Sequence, residues 1–480
     1  MEFRLLEKTS TIPELTPSIE LEGSRWILSD PYDIYFDEIP EYGCISYVWG
    51  PDRADNPIHP NIPMSTHTLP ALCAVIRNDE SLNAVWMDVF CVPSDPLLKK
   101  PTLESMGFIY GRAEKVIVVL QQKSFNAVKW ICGWEQGDDF DESYMHDLEA
   151  DKWIKSVWTY QEVVNSHDLY FAGESTGQDT SESSEAGLLQ GQEFLNGLGF
   201  YLEQYRRHHQ VTVLQLRQRF PNLDTFEDLI ADWMVAAYCD RSAMEIMSNM
   251  SRRSYDDDGK NYFYSMIGAV THVPSSRRST PTIESLAETF MSACEEKGDY
   301  SFIFSSAERD SRKGFRWRPL PTMLQAVVSW HSQGEKLEGV VEAGGKLRLK
   351  DMVIITKLEH GEMSNEAKEI ICSWMLMPEL ASESQFIMAP KFYECLVSIQ
   401  YTGSATCIFT EHGMFWPQED VGEAKDVEIW IAAPLMYVFG APGIAVLRAN
   451  ADDEATYIPG VFAGNCRRNL QRKDVIINIA

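Results

Sequence analysis

Three short apolar runs in the first quarter of the chain restrict its fold more than any other feature. Each is rich in β-branched and aromatic residues and has the length of one buried strand, and together they are Cys44–Trp49, Val85–Phe90 and Val116–Leu120. The segment Thr102–Arg112, between the second and third runs, carries apolar residues at helical spacing. A strand, helix, strand crossover of this kind joins parallel strands. The sequence therefore predicts an α/β domain with an open, mostly parallel sheet.

The sequence pattern changes three times beyond these runs. A helix is predicted over Asp151–Val164 and a strand over Asp168–Ala172, and these elements complete the first domain. A polar, acidic stretch follows, then amphipathic helical runs, and then strand and turn patterns. We therefore expect four segments: an α/β domain over residues 1–172, an acidic polar linker over 173–191, a helical region over 192–300 and an antiparallel β-rich domain over 301–480.

Two stretches of the C-terminal domain predict paired strands. Ile429–Leu447 is uncharged and long enough to span a bilayer, but prolines and glycines interrupt it, so two buried strands joined by a turn fit it better than a membrane helix. Leu396–Tyr401 is predicted to pair with Thr406–Thr410 across a short turn. Both stretches favour an antiparallel sheet.

The charge balance restricts the partners of the chain. It carries 71 acidic and 42 basic residues, a formal net charge of −29. Proteins that bind nucleic acids or anionic membranes normally carry a concentrated basic face, so we expect neither partner. The ten cysteines are scattered without a CxxC pair, and no metal site is expected. The first residues lack the apolar core of a signal peptide, and we expect a cytoplasmic protein.

Polar and aromatic side chains stand out at three places in the first domain. Ser46 and Trp49 end the first predicted strand, where the loops of open α/β sheets form ligand crevices. Asp88 interrupts an otherwise apolar strand, and a buried carboxylate needs a partner or a chemical role. Glu162 follows Trp158 by four residues, so both lie on one face of the predicted helix, where the indole can stack a flat ring. Each residue also has a structural interpretation, as a cap of the core, a hydrogen-bond anchor or an ion-paired helix residue.

Three segments together resemble the fungal heterokaryon-incompatibility (HET) domain, namely Tyr42–Gly50 (YGCISYVWG), Trp86–Cys91 (WMDVFC) and Trp158–Glu162 (WTYQE). The last segment also resembles the W-x-x-x-E catalytic helix of NAD-cleaving Toll/interleukin-receptor (TIR) domains. The HET resemblance covers roughly residues 20 to 172. It implies a TIR-like, flavodoxin-like fold with a mostly parallel sheet, and a role in fungal non-self recognition and programmed cell death. The TIR resemblance implies NAD glycohydrolase activity, with NAD as a substrate and no resident cofactor.

The resemblance also assigns roles to residues. It makes Glu162 catalytic, and it places five residues at the substrate: Ser46, Tyr47, Trp49, Asp88 and Trp158, the last as a wall of the pocket. The implied partners are a nicotinamide nucleotide and a second copy of the chain or another protein.

The chain departs from the family pattern in two segments. The pattern D-x-x-C-I-N-Q becomes Asp88-Val-Phe-Cys-Val-Pro-Ser94 and loses both amide side chains, at Val92-Pro93-Ser94, and Ser156 stands where R-x-W-x-x-Q-E has arginine. Three interpretations therefore stay open: a NAD-binding or NAD-cleaving effector, a non-enzymatic signalling and assembly module, and an enzyme of secondary metabolism that acts on another small molecule. Nicotinamide release from NAD separates the first from the other two.

Overall fold

The computed structural model of the protein describes all residues except 11–15, 175–186, 235–239, 256–258, 313–314, 316, 343–345, 423–426, 448–454, 467–469 and 479–480. The chain forms two compact units. The N-terminal unit comprises Met1–Val235 and Arg253–Thr282, and the C-terminal unit comprises Ala236–Arg252 and Ile283–Ala480. The predicted segment boundaries at 172, 191 and 300 stay a prediction, and most of the predicted acidic linker lies outside the described residues. Within the described part of the chain, no helix combines the length and apolarity needed to cross a membrane.

The N-terminal unit alternates strands and helices. Its strands are β1 (Leu6–Thr9), β2 (Ser18–Leu21), β3 (Ser24–Leu28), β4 (Gly43–Tyr47), β5 (Arg53–Ala54), β6 (Met64–Ser65), β7 (Ala84–Trp86), β8 (Lys115–Leu120), β9 (Leu169–Gly173) and β10 (Leu189–Gln190). Its helices are α1 (Thr68–Asn78), α2 (Asp88–Cys91), α3 (Pro96–Glu104), α4 (Met106–Arg112), α5 (Gln122–Gly133), α6 (Glu142–Ala150), α7 (Lys152–Lys155), α8 (Val157–Val164), α9 (Gly191–His209), α10 (Val213–Arg219), α11 (Pro221–Met234) and α13 (Lys260–Val270).

Eight of these strands form one mixed sheet in the order β10-β9-β8-β4-β7-β1-β3-β2. The central strands β9, β8, β4 and β7 are parallel, and Ser46 of β4 lies opposite Val118 of β8. The outer strands pair antiparallel at both edges. The predicted parallel α/β core is confirmed, whereas the sequence did not indicate the antiparallel strands that extend it.

Two predicted elements of this unit are corrected. The second predicted strand, Val85–Phe90, ends at Trp86, and Asp88 begins the short helix α2. The physical reason is that the Asp88 carboxylate accepts a hydrogen bond from the amide of Val89 at 2.7 Å, which favours a turn over an extended chain. The predicted helix over Asp151–Val164 is interrupted at Ser156, whose backbone is extended and whose hydroxyl caps α8.

Two glycines allow α4 and α13 to approach closely where both helices pack against α8. A Cβ atom on Gly107 of α4 would lie 2.2 Å from the carbonyl oxygen of Gly268 in α13. Only glycine permits this approach of two helix backbones. Because α4 and α13 both pack against α8, the contact fixes the helix that carries Glu162 beside the helix that carries Tyr110.

The C-terminal unit combines helices with strands. Its helices are α12 (Ala243–Met250), α14 (Ile283–Glu296), α15 (Asn365–Met375) and α16 (Gln385–Ser398), with 3₁₀ turns at Ser301–Phe304 and Pro378–Ser382. Its strands are β11 (Gln333–Gly334), β12 (Gly339–Glu342), β13 (Lys346–Thr356), β14 (Ile408–Thr410), β15 (Gly413–Pro417), β16 (Val427–Ala432), β17 (Leu435–Met436), β18 (Gly440–Leu447), β19 (Thr456–Gly464) and β20 (Arg472–Asn478).

The main sheet of this unit is antiparallel, as predicted. Its order is β12-β13-β16-β18-β19-β15-β14, and β20 pairs with β13. The uncharged stretch Ile429–Leu447 supplies most of β16 and all of β18, which pair antiparallel. The predicted strand Leu396–Tyr401 is wrong, because Leu396 belongs to α16. The buried residues of α16 recur every three or four positions, at Gln385, Met388, Phe392 and Leu396, so helical burial prevails over the local strand pattern.

Candidate functional site

Ser46 lies in β4, one residue before the carboxyl end of the strand. The strand is buried along most of its length, and Ser46 is 2% exposed. A hydroxyl at this depth must exchange hydrogen bonds with neighbouring groups, since water does not reach it. It does so twice. The indole Nε1 of Trp153 donates to Ser46 Oγ at 2.6 Å, and Ser46 Oγ donates to Glu162 Oε2 at 2.5 Å.

Glu162 lies on the buried side of α8 and is 9% exposed. Its second carboxylate oxygen, Oε1, accepts a hydrogen bond from the hydroxyl of Tyr110 at 3.1 Å. Three elements from distant parts of the sequence therefore meet at one carboxyl group: the end of β4, the last turn of α4 and the middle of α8. We call Ser46, Tyr110, Trp153 and Glu162 the glutamate cluster.

The start of α8 is held by contacts to a remote segment. Ser156 Oγ accepts a hydrogen bond from the amide of Trp158 at 3.3 Å. The guanidinium of Arg253 donates to the carbonyl oxygens of Ile154 and Ser156 at 2.8 and 3.2 Å. Ser156, one of the two departures from the family pattern, thus has a capping role, and an arginine from another part of the chain contacts the backbone at this position.

Asp88 begins α2, just after β7, the strand that pairs with β4. Its Oδ2 accepts a hydrogen bond from the indole of Trp49 at 3.0 Å, and the side chain of Tyr47 also hydrogen-bonds to it. Trp49 is 41% exposed, and the guanidinium carbon of Arg53 lies 5.7 Å from the centroid of its ring. A half-exposed indole beside a cation presents a flat surface and a positive charge at the rim of the site.

The two carboxyl groups hold protons more tightly than usual. Burial raises the pKa of Glu162 to about 7; hydrogen bonds from Ser46 and Tyr110 oppose the rise, and the charge of Asp88 adds to it. Burial likewise raises the pKa of Asp88 to about 6, against the hydrogen bonds from Val89, Trp49 and Tyr47. At neutral pH the pair therefore carries less than two full negative charges, and Glu162 can act in either protonation state.

The structure brings together most of the predicted site residues. Ser46 and Glu162 touch, and Tyr47 and Trp49 contact Asp88, whose charge acts on Glu162. Trp158 takes a different position from the one expected. Its ring stacks on Tyr264 at 6.5 Å between centroids and 13° between planes, and the indole that reaches the Ser46–Glu162 pair is that of Trp153. A role in binding a ligand stays a prediction for all of these residues.

Sequence reasoning missed Tyr110 and Trp153 as members of the cluster. Both have the spacing of buried apolar helix residues, and that pattern does not reveal which aromatic side chain carries a directed O–H or N–H group. A signal existed in Ser46, because a buried hydroxyl requires partners, and Tyr O–H and Trp N–H are among the uncharged groups that can supply them.

Comparison with known proteins finds a family match for the segment that contains the site. Residues 42–162 match the family model described as heterokaryon incompatibility protein (HET). The matched segment begins four residues before Ser46 and ends at Glu162, so it spans the whole glutamate cluster and Asp88. No curated protein and no solved structure matches the chain. The HET resemblance noted from the sequence is confirmed for these residues.

Proposed function

We propose that this protein acts in heterokaryon incompatibility by binding and hydrolysing a nicotinamide nucleotide at the glutamate cluster. The observation that carries the proposal is the convergence on Glu162: a buried carboxyl group held by Ser46 and Tyr110, beside the second carboxyl group of Asp88. Ionisable groups are costly to bury. Buried carboxyl groups with shifted pKa values are therefore concentrated at functional sites.

The carboxylate suits the cleavage of an N-glycosidic bond. When the bond between ribose C1′ and nicotinamide breaks, positive charge develops on the sugar ring, and a carboxylate facing the sugar stabilises that charge. The donors that Glu162 accepts in the free protein are hydroxyl groups. Ribose hydroxyls are donors of the same kind, so a bound sugar can take the place of Ser46 or Tyr110 without leaving the carboxylate unpaired.

The rim of the site supplies groups that match the remainder of a dinucleotide. The half-exposed ring of Trp49 offers a face on which a planar base can stack, and Arg53 beside it offers a cation for a phosphate. The cluster lies at the carboxyl end of a parallel strand, where open α/β sheets bind ligands. A TIR-like mode of action, with Glu162 catalytic, accounts for these features together.

The test is nicotinamide release from NAD by the purified 480-residue chain. We expect wild type to release nicotinamide and Glu162→Gln to be slower by at least about a hundredfold, a loss of roughly 2.7 kcal/mol of transition-state stabilisation. The matched control is Glu193→Gln, which changes an exposed glutamate of the same unit. Wild type without activity, or equal rates for wild type and Glu162→Gln, would overturn the proposal.

One observation favours a second function, that of a non-enzymatic assembly module. Both oxygens of Glu162 already have protein donors, and the side chain is only 9% exposed, as expected of a structural polar cluster in a signalling domain. In that case wild type releases no nicotinamide, and Glu162→Gln impairs folding or self-association instead. Sedimentation of wild type and variant across a concentration series measures that outcome.

A further inference from the structure

A histidine and a glutamate meet at the same end of the parallel strands, outside the glutamate cluster. His67 immediately precedes α1, and Glu174 immediately follows β9. The ring nitrogen Nδ1 of His67 lies 2.7 Å from Oε1 and 2.9 Å from Oε2 of Glu174. A carboxylate only accepts hydrogen bonds, so in the neutral ring Nδ1 carries the hydrogen and Nε2 carries the free lone pair.

The Nε2 edge of this ring faces the turn that follows β4. A Cβ atom on Gly50 would lie 2.6 Å from Cδ2 and 2.7 Å from Nε2 of His67, so a larger residue at position 50 would have to displace the ring. The hydroxyl of Ser65 accepts hydrogen bonds from the backbone amides of both Gly50 and His67, at 3.2 and 3.1 Å. The position of the ring relative to the turn is therefore fixed by backbone contacts as well as by Glu174.

The residues next to Gly50 and His67 contact Asp88 and Tyr47. Trp49, the residue before Gly50, donates to Asp88, and Thr68, the residue after His67, exchanges a hydrogen bond with Tyr47 at 3.0 Å. The side chain of His67 is 30% exposed, so part of the ring meets solvent. A carboxylate that fixes one ring nitrogen and leaves the other free is the arrangement by which proteins orient a histidine for proton transfer.

We propose that His67, oriented by Glu174, is the general base that activates water in this reaction. The inference rests on the proposed NAD hydrolysis and adds a residue and a step to it. The C1′–nitrogen bond breaks, and its electron pair stays on the ring nitrogen of the departing nicotinamide. The water oxygen then bonds to C1′, one water proton passes to Nε2 of His67, and the imidazolium later releases this proton to solvent. The products are nicotinamide, ADP-ribose and one proton.

The proposal separates two nucleophiles. Water must lose a proton as it attacks C1′, whereas the nitrogen of a pyridine carries no proton and needs no base. We therefore measure two products from NAD in the presence of 3-acetylpyridine: ADP-ribose from hydrolysis and the 3-acetylpyridine dinucleotide from base exchange. His67→Asn should slow hydrolysis by about a hundredfold or more and change base exchange by less than about threefold.

Further variants keep the test decisive if His67→Asn folds poorly. Glu174→Gln should slow hydrolysis at least about tenfold and spare base exchange, because it keeps a hydrogen-bond acceptor but loses the charge that stabilises the imidazolium. Gly50→Ala should do the same by displacing the ring. His167→Asn, at an exposed position, is the matched control and should behave as wild type.

The outcomes distinguish this inference from the proposed function. Wild type that catalyses neither reaction refutes the proposed function and the inference with it. Active wild type combined with unchanged hydrolysis in His67→Asn refutes the inference alone. An equal loss of hydrolysis and base exchange in His67→Asn and Glu174→Gln also refutes it, since it assigns the pair a purely structural role.

Discussion

The two units bury their sheets in different ways. In the C-terminal unit the core of the sheet is apolar, and Phe415, Ile429 and Phe462 are fully buried among similar side chains. In the N-terminal unit the end of β4 buries a carboxyl group, two hydroxyl groups and an indole donor together. Apolar burial stabilises a fold without directed partners, whereas a buried carboxyl group costs free energy unless every partner is in place. The apolar core of the C-terminal sheet therefore serves stability, whereas the end of β4 in the N-terminal unit retains a carboxyl group that is costly to bury.

The largest effect is expected from truncating the apolar core. Phe462→Ala removes a ring that is 0% exposed and leaves a cavity, so the free energy of unfolding should fall by about 3–5 kcal/mol. Phe386→Ala removes a ring that is 68% exposed and should cost less than about 0.5 kcal/mol. Urea denaturation, with hydrogen exchange to localise the change, measures both. Similar losses at the two positions would contradict the description of this core.

The second effect concerns pH and the polar region. Because the folded-state pKa of Glu162 is about 7 and its ordinary value is 4.5, the folded state holds this proton more tightly than the unfolded state. Stability contributed at this group is therefore lost as pH rises from about 4.5 to 7. Between pH 5 and pH 8 we expect wild type to lose about 2–3 kcal/mol relative to Glu162→Gln, which cannot titrate. Urea denaturation of both proteins at the two pH values checks the difference, and a constant difference would refute the raised pKa.

A smaller effect is expected from removing one donor to Glu162. Tyr110→Phe keeps the ring and deletes the hydroxyl, so it should cost about 1–2 kcal/mol at pH 8 and less at pH 5, where Glu162 is protonated and needs its donors less. Tyr170→Phe, at a partly exposed position of β9, is the control. A cost independent of pH would show that the Tyr110 hydroxyl does not serve the carboxylate.

The smallest effect is expected at the rim. Trp49→Phe removes the indole donor to Asp88, but the side chain is 41% exposed and water can replace the lost hydrogen bond. The free energy of unfolding should change by less than about 1 kcal/mol. The pKa of Asp88 should rise further, since a donor to its charged form is lost, and this shift is measured by NMR titration. A drop in that pKa would contradict the contact.

The parallel core could be predicted because its signal is local. The runs at Cys44–Trp49 and Val116–Leu120 are apolar enough to specify buried strands on their own. The antiparallel strands at the edges were missed, since β1, β2 and β3 are short. The pairing of β1 with β3 and β7 is long-range, whereas β2 and β3 form a local hairpin across Glu22 and Gly23 whose signal was overlooked. Asp88 was placed in a strand because an apolar run cannot show where a side chain will turn the backbone.

The candidate site could be predicted in part. The family resemblance, and not a local pattern, assigned Ser46 and Glu162 to one site, and their side chains are in contact. The choice between Trp153 and Trp158 could not be made from spacing. The extended backbone of Ser156 divides the predicted helix and changes the direction of α7, which carries Trp153, and a single-residue break of this kind has no periodic signal.

The most direct test of the central claim is to follow NAD in living cells while only Glu162 changes. Wild type and Glu162→Gln are expressed in a yeast host at matched abundance, and cellular NAD is measured as cell death proceeds. We predict that wild type depletes NAD before cells die and that Glu162→Gln, although folded and at least as stable at neutral pH, does neither. Equal NAD depletion and equal death with both proteins would contradict the claim that the buried carboxyl group is retained for chemistry, and death without NAD loss in both would assign the protein to assembly instead.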